Sequence, residues 1–322
     1  MKCNFGIAGI AYAVGEHSVD ARQFASAMAE QGLDFPPYGA ETLQRTSRGS
    51  LDLAVEACAA LFAEGDFDPA RIDCILYCHS RIPDIFGVNN GTDLAARLGL
   101  PSRRVIEVSY SCVGVMGMLE QAQMLFSAYP GFENILLVTS DRAPNDFNFI
   151  NIYSHGAAAA LLQRTAPLQV LYNDVRNDGR FARLIPAVGG SSAPDHVDLF
   201  KNAYPDDLPS LVQEFNVATK TIGVSQYQDA LDALNLAPER IGKTITLNIS
   251  RTLLIKAMEK QGVAEDNLFL DNVPRLHHIG GADILINLKD YLETKPRAEY
   301  IRLYALGLGH FWGTSILQAT TV

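Results

Sequence analysis

The stretch that most constrains this chain runs from Arg104 to Ser127: Arg-Val-Ile-Glu-Val-Ser-Tyr-Ser-Cys-Val-Gly-Val-Met-Gly-Met-Leu-Glu-Gln-Ala-Gln-Met-Leu-Phe-Ser. Val105 to Val108 is short, β-branched and mostly apolar, which is the pattern of a central strand. Ser109, Tyr110 and Ser111 break that pattern. From Val113 to Phe126 the chain is rich in Met, Leu, Gln and Ala and has no proline, which predicts a helix. Its apolar residues, among them Val115, Met116, Met118, Leu119, Ala122 and Leu125, cover more than one face. Such a helix is expected to be buried nearly all round. Cys112 falls at its first turn, where unpaired N–H groups and the positive end of the helix dipole favour a thiolate. This is one way to obtain a nucleophile from a residue that is mostly protonated at neutral pH. Taken alone, Cys112 reads equally as a small buried hydrophobe, the role of most free cysteines.

The rest of the chain alternates strands and helices. Strands are expected at 3–14, Ile72–Cys78 and Asn134–Asp141, and helices at Val19–Gln31, Ser50–Ala63 and Thr92–Leu98. Alternation of this kind gives an α/β layered fold with a buried, largely parallel sheet. Residues 173–206 are dense in Asp, Asn, Gly, Pro and Ser and read as a connector between two halves, 1–172 and 173–322. The second half repeats the first in outline: a helical stretch at 207–236, a strand at Lys243–Asn248, a helix at Ser250–Gln261, a short extended piece at Leu268–Asp271, a helix at Gly280–Glu293 and a strand at Tyr300–Leu306. A faint internal echo agrees with duplication. Ile135-Leu-Leu-Val-Thr-Ser precedes Gly156-Ala-Ala-Ala-Ala-Leu-Leu-Gln163, and Ile301-Arg-Leu-Tyr-Ala-Leu precedes Gly313-Thr-Ser-Ile-Leu-Gln318.

Over 322 residues the net charge is −10, which argues against broad nucleic-acid binding. No apolar run reaches the length of a membrane span, and the N-terminus lacks the features of a signal peptide. The five cysteines are odd in number and sit in expected strands and helices, so a reduced, cytoplasmic protein is the expectation. Cys74 and Cys78 would lie on one side of a strand with no second ligand pair nearby, so no metal site is expected.

Three motifs together make the chain resemble the thiolase superfamily, specifically β-ketoacyl-acyl carrier protein synthase III and its relatives. Ser111-Cys112-Val-Gly-Val-Met-Gly resembles the family's nucleophile turn. Leu306-Gly-Leu-Gly-His-Phe-Trp-Gly313 resembles its glycine-rich C-terminal signature, and Ser154-His-Gly-Ala-Ala-Ala-Ala160 its Gly-Asp-Gly-Ala-Ala-Ala segment. The resemblance covers essentially the whole chain. It implies two duplicated α/β halves in a five-layer α-β-α-β-α arrangement, usually as a homodimer. It also implies a ping-pong acyltransferase in which the cysteine takes an acyl group from coenzyme A or acyl carrier protein, with no permanently bound cofactor. By the resemblance, the oxyanion donors are the backbone N–H groups of Cys112 and Leu308.

The chain departs from the family at the rest of the triad. Where the family has a histidine, ungapped counting places Leu247, with Asn248 as the nearest polar group. Where it has an asparagine, the match of Gly280-Gly-Ala-Asp-Ile284 places His278. A slip of one residue would bring in Asn248 or His277 instead. His155 and His310 are expected to be structural, and Arg142, Arg176 and Arg180 to be scattered surface residues rather than contacts of a pantetheine phosphate. Without the family's His–Asn pair, decarboxylative condensation lacks its enolate stabiliser. Transfer to an oxygen, nitrogen or sulfur acceptor needs only Cys112, the oxyanion hole and one base. The leading expectation is therefore an acyltransferase acting from a thioester to a small-molecule or carrier-bound acceptor in biosynthesis, with Cys112, His278 and Asn248 as candidate catalytic residues. Two alternatives stand beside it: a carbon–carbon condensing enzyme with a non-standard triad, and a non-catalytic subunit paired with an active paralogue.

Overall fold

The computed structural model describes residues 2–30, 32, 34–79, 87–143, 151–182, 184, 187–188, 198–202, 206–307 and 311–319. The first half contains strands β1 (Lys2–Val14), β2 (His17–Asp20) and β3 (Thr42–Arg45), with helices α1 (Ala25–Glu30) and α2 (Ser50–Glu64). Then come β4 (Cys74–His79), α3 (Asn90–Arg97), β5 (Arg104–Val108), α4 (Gly114–Ala128), β6 (Asn134–Arg142) and β7 (His155–Gln163). The second half contains β8 (Leu168–Asn177), β9 (Ala187–Val188), β10 (Asp198–Asn202), α5 (Leu208–Leu234), β11 (Ile241–Ile245) and α6 (Arg251–Glu259). It ends with β12 (Leu268–Phe269), α7 (Asn272–Arg275), α8 (Ala282–Glu293), β13 (Tyr300–Gly307) and β14 (Phe311–Ala319).

Ten strands pair in the order β12-β11-β13-β14-β8-β1-β7-β6-β4-β5. The join between β8 and β1 divides this order into two equal fives. Counted in chain order, each five runs third, second, fourth, fifth, first outward to inward. In each the first three of these strands are parallel, and the last two pair antiparallel to their neighbours. The duplication is thus present in connectivity, and the echo noted above is its sequence trace: it falls on the β6–β7 and β13–β14 pairs. Gln163 lies opposite Asn134, and Gln318 opposite Tyr300. β8 begins at Leu168, so a division drawn at residue 172 cuts through a strand.

The layers follow from which faces are apolar. Helix α4 is buried along nearly its whole length and packs on β4, β6 and β1 on one side and on β8 and β14 on the other. Helix α8, its counterpart in the second half, lies beside it, also between the two fives of strands. Helix α2 covers the outside of β1 and β7, and α5 the outside of β14 and β8. This is the expected five-layer arrangement. The segment 19–31 differs from expectation: Val19 pairs with Leu43 in the β2–β3 ribbon, so the helical part is short and starts later. A β-branched residue beside a partner strand gains cross-strand packing that a lone helical turn cannot match.

Candidate active site

Between β5 and α4 the chain makes a single tight turn, Ser111–Val113. Ser111 has φ +50°, left-handed backbone that a residue with a Cβ adopts at a cost. The surroundings hold it there. A Cβ at Gly307, the end of β13, would stand 3.4 Å from the Ser111 Cβ, and one at Gly313 in β14 would stand 2.7 Å from Val113 Cγ1. The second-half strands therefore pack directly on the turn, most tightly at Gly313, where a Cβ would force Val113 to shift. Cys112, 6% exposed, projects from this turn at the start of α4.

His278 reaches the same point from the other half, in the short link between α7 and α8. Its N–H donates to Ile152 O at 3.2 Å, and its carbonyl accepts from Ser154 N–H at 2.9 Å, forming a single parallel bridge with Tyr153. The Tyr153 ring packs against the imidazole with centroids 5.7 Å apart. With its backbone fixed this way, His278 sets Nε2 3.3 Å from Cys112 Sγ and Nδ1 2.6 Å from Asp283 Oδ2. Because a carboxylate can only accept, Nδ1 carries the proton and Nε2 faces the sulfur. Asp283 is fully buried in the first turn of α8, where the helix dipole favours a negative charge. Its Oδ1 accepts from Ile279 N–H at 2.7 Å and its Oδ2 from Asn248 N–H at 2.8 Å. Burial alone would push the His278 imidazole down. The Asp283 charge, the Cys112 sulfur and their hydrogen bonds outweigh it and hold the ring well above the ordinary histidine value. A Cβ at Gly281 would stand 3.7 Å from Cys112 O, so the starts of the duplicated helices α4 and α8 all but touch. The site lies where those two helix starts meet.

The fold agrees with that of known proteins. No family model matches the chain. The β-ketoacyl-[acyl-carrier-protein] synthase III of Azobacteroides pseudotrichonymphae is 22% identical over 282 residues, covering 84% of this chain and 82% of its own. The solved 3-oxoacyl-(acyl carrier protein) synthase III of Pseudomonas aeruginosa superposes with a TM-score of 0.81 at 18% identity, over 99% of both chains. ChlB3, described as an acyltransferase, superposes with a TM-score of 0.82 at 14% identity, over 99% of this chain and 98% of its own. The chain has the fold of these solved synthases, and its likeness to the curated synthase III proteins spans most of both chains at low identity.

The structure also places the other expected residues. Leu247, which counting set at the expected histidine position, is buried and apolar. The Asn248 side chain is committed to a reciprocal amide pair with Asn287, at 3.3 and 2.9 Å. Its link to the site is its backbone N–H on Asp283. Asn287 also donates to Thr246 O at 2.7 Å and accepts from Asn272 Nδ2 at 2.8 Å. Asn272 in turn donates to Asp290 at 2.8 Å, and Asp290 accepts from Tyr12 OH at 2.9 Å and from Arg275. A buried polar ladder thus runs down α8 through Asp283, Asn287 and Asp290. His277 has φ +47°, and its ring turns to the carbonyls of Ile152 at 2.7 Å and Tyr38 at 3.3 Å. His155 contacts Arg45 and the Thr46 N–H. Arg176 is occupied by Asp174, Ser225 and Asp229, and Arg180 by Asp178. Leu308 and His310 lie outside the described residues, as does much of the later part of the 173–206 connector, whose start at 173–177 belongs to β8. Among the described residues no cluster of three His, Cys, Asp or Glu could hold a metal, and no helix is long and apolar enough to cross a membrane.

Asp283 is the residue that sequence reasoning passed over. Gly280-Gly-Ala-Asp-Ile284 was read for its small residues alone. The available signal was the spacing of Asp283, Asn287 and Asp290 at i, i+4 and i+7, a polar stripe on an otherwise apolar helix five residues after a histidine.

Proposed function

We propose that the chain is a synthase III-like acyltransferase that moves an acyl group from a coenzyme A or acyl carrier thioester, through Cys112, to an oxygen, nitrogen or sulfur nucleophile. The observation that carries this reading is His278 standing between Cys112 Sγ and Asp283 Oδ2, with leucine at position 247. A carboxylate-oriented imidazole beside a thiol is the arrangement for activating a nucleophile and shuttling one proton. In the first half-reaction the Cys112 sulfur bonds to the thioester carbonyl carbon and the carbon–sulfur bond to the donor breaks. The Cys112 proton reaches the leaving thiol through His278 Nε2. In the second, His278 takes the proton of the acceptor X–H, the X–C bond forms, the bond to Cys112 breaks, and the proton returns to sulfur. The Cys112 N–H, at the start of α4, and the Leu308 N–H are the proposed donors to the tetrahedral oxyanion.

A cavity of about 170 Å³ on the α5 side of the second-half strands is the proposed entry for a pantetheine-type donor. It lies between α5 and α6 and is lined by Phe215, Ile249 and Leu306, with Lys220, Lys256 and Lys260 around it. Apolar walls suit the pantetheine arm, and the lysines suit its phosphate. A dimer, with itself or a paralogue, belongs to the same reading.

The test that separates acyl transfer from condensation offers the acylated protein two acceptors. One is a malonyl thioester and the other a panel of alcohols, amines and thiols. The proposal expects an ester, amide or thioester product and no carbon dioxide release. Carbon dioxide release with a β-ketoacyl product would establish condensation instead.

A further inference from the structure

On the outer face of β13, away from Cys112, lies a cluster that acyl transfer does not use. Side chains alternate along the strand: Gly307 meets the Ser111 turn, while Arg302 and Tyr304 point the other way, towards α5. Arg302 is 0% exposed. Its Nη2 donates to Gln261 Oε1 at 2.7 Å and to Thr314 Oγ1 at 3.3 Å. Its guanidinium lies 4.1 Å from the Tyr227 ring centre and 4.8 Å from that of Tyr304. Among the described residues the groups that act on its charge are the two tyrosines, and no carboxylate is paired with it. Two buried donors of this cluster, Arg302 Nε and Nη1, have no hydrogen-bond partner, while the Gln261 amide and the Tyr304 hydroxyl meet each other beside them.

We propose that Arg302, Gln261 and Tyr304 form a buried binding site for a small monovalent anion of halide size. Both unsatisfied guanidinium atoms are donors, the neighbouring Gln261 and Tyr304 side chains also carry donors, and Arg302 carries a full positive charge. Two tyrosine faces offset part of that charge, but a buried guanidinium without a counter-ion is costly to keep. A halide accepts donors from any direction, so one held at a free edge of the guanidinium satisfies an N–H there without a fixed lone-pair geometry. The cluster lies in the packed layer between β13, β14 and α5, and an ion held there ties the outer helix layer to the sheet.

Two measurements test this. Crystals of the full chain are soaked in sodium bromide, and the anomalous signal is examined around Arg302. In parallel, melting is followed in sodium chloride, sodium bromide and sodium gluconate at equal concentration, for the natural chain and Arg302→Met. A bromide peak on Arg302 Nε or Nη1 is expected, with a melting temperature roughly 2 °C or more higher in the halides, a difference that Arg302→Met removes. If Arg302→Met does not fold, the bromide peak decides. No bromide at Arg302 under saturating soak overturns the proposal.

Discussion

At the residue scale, the account rests on three side chains and the order in which protons sit on them. Asp283 keeps the proton on His278 Nδ1 and raises the affinity of the ring for a second one. Asp283→Asn keeps the shape but removes the charge. Its expected effect is a loss of about 10²–10⁴ in the rate of acyl transfer, measured by product formation at saturating donor. The His278 imidazole, followed by NMR, should then lose its proton at lower pH than in the natural chain. An Asp283→Asn protein with unchanged rate and unchanged titration would remove Asp283 from the mechanism. Cys112 and the candidate His278 were legible from residue type and position, because a nucleophile turn and a histidine before a glycine-rich helix start leave marks in the sequence. What stayed hidden was which of two adjacent histidines faces the sulfur. That depends on the left-handed backbone of His277, which sends its ring towards Ile152 and Tyr38. No local pattern distinguishes that conformation.

At the element scale, α8 acts as a rail for the site. Asn287 satisfies Thr246 O, Asn248 and Asn272 at once, and Asn248 supplies the N–H that holds Asp283. Replacing Asn287 with leucine leaves those partners buried and unpaired, at about 1–3 kcal/mol for each group. We expect Asn287→Leu to lower stability by roughly 2–4 kcal/mol in urea titration. A change below about 0.5 kcal/mol would mean that the ladder contributes little. The elements themselves were largely legible. Alternating strands and helices, the all-round apolar helix after Cys112 and the repeated second half lead to the layered fold. The failures have local causes. Val19 reads as the start of a helix until Leu43 is brought beside it as a strand partner. Asn248 reads as a catalytic amide until Asn287 arrives from a helix 39 residues away.

At the scale of the whole molecule, the duplication explains why the site lies where it does. Each half contributes one buried helix, α4 or α8, and the two starts meet with a sulfur on one and an imidazole–carboxylate pair on the other. Burying this much titratable chemistry ties stability to pH. Burial pushes His277 down to about 4, and burial with the charges of Arg45 and Arg142 does the same to His155. Below an ordinary histidine value of about 6.5, the unfolded chain takes up protons that the folded one refuses, so stability falls as pH drops from there towards 4. His278 has the opposite sign. Its folded value is raised, so its contribution is whole below about 6.5 and is lost as pH climbs through the folded value. The expected profile is a dome with its maximum near pH 6.5, each proton contributing a slope of up to about 1.4 kcal/mol per pH unit. Urea titrations between pH 4.5 and 9 check this, and stability that rises steadily above pH 7 would contradict it.

The most direct test of the central claim is the intact mass of the protein after incubation with a panel of acyl-coenzyme A and acyl-carrier thioesters, with Cys112→Ala alongside. The account predicts a gain equal to the acyl group in the natural chain, none in Cys112→Ala, and loss of the gain when an acceptor is added. No gain from any donor, while Cys112 still reacts with a thiol probe, would contradict the account and favour a subunit that supports an active partner.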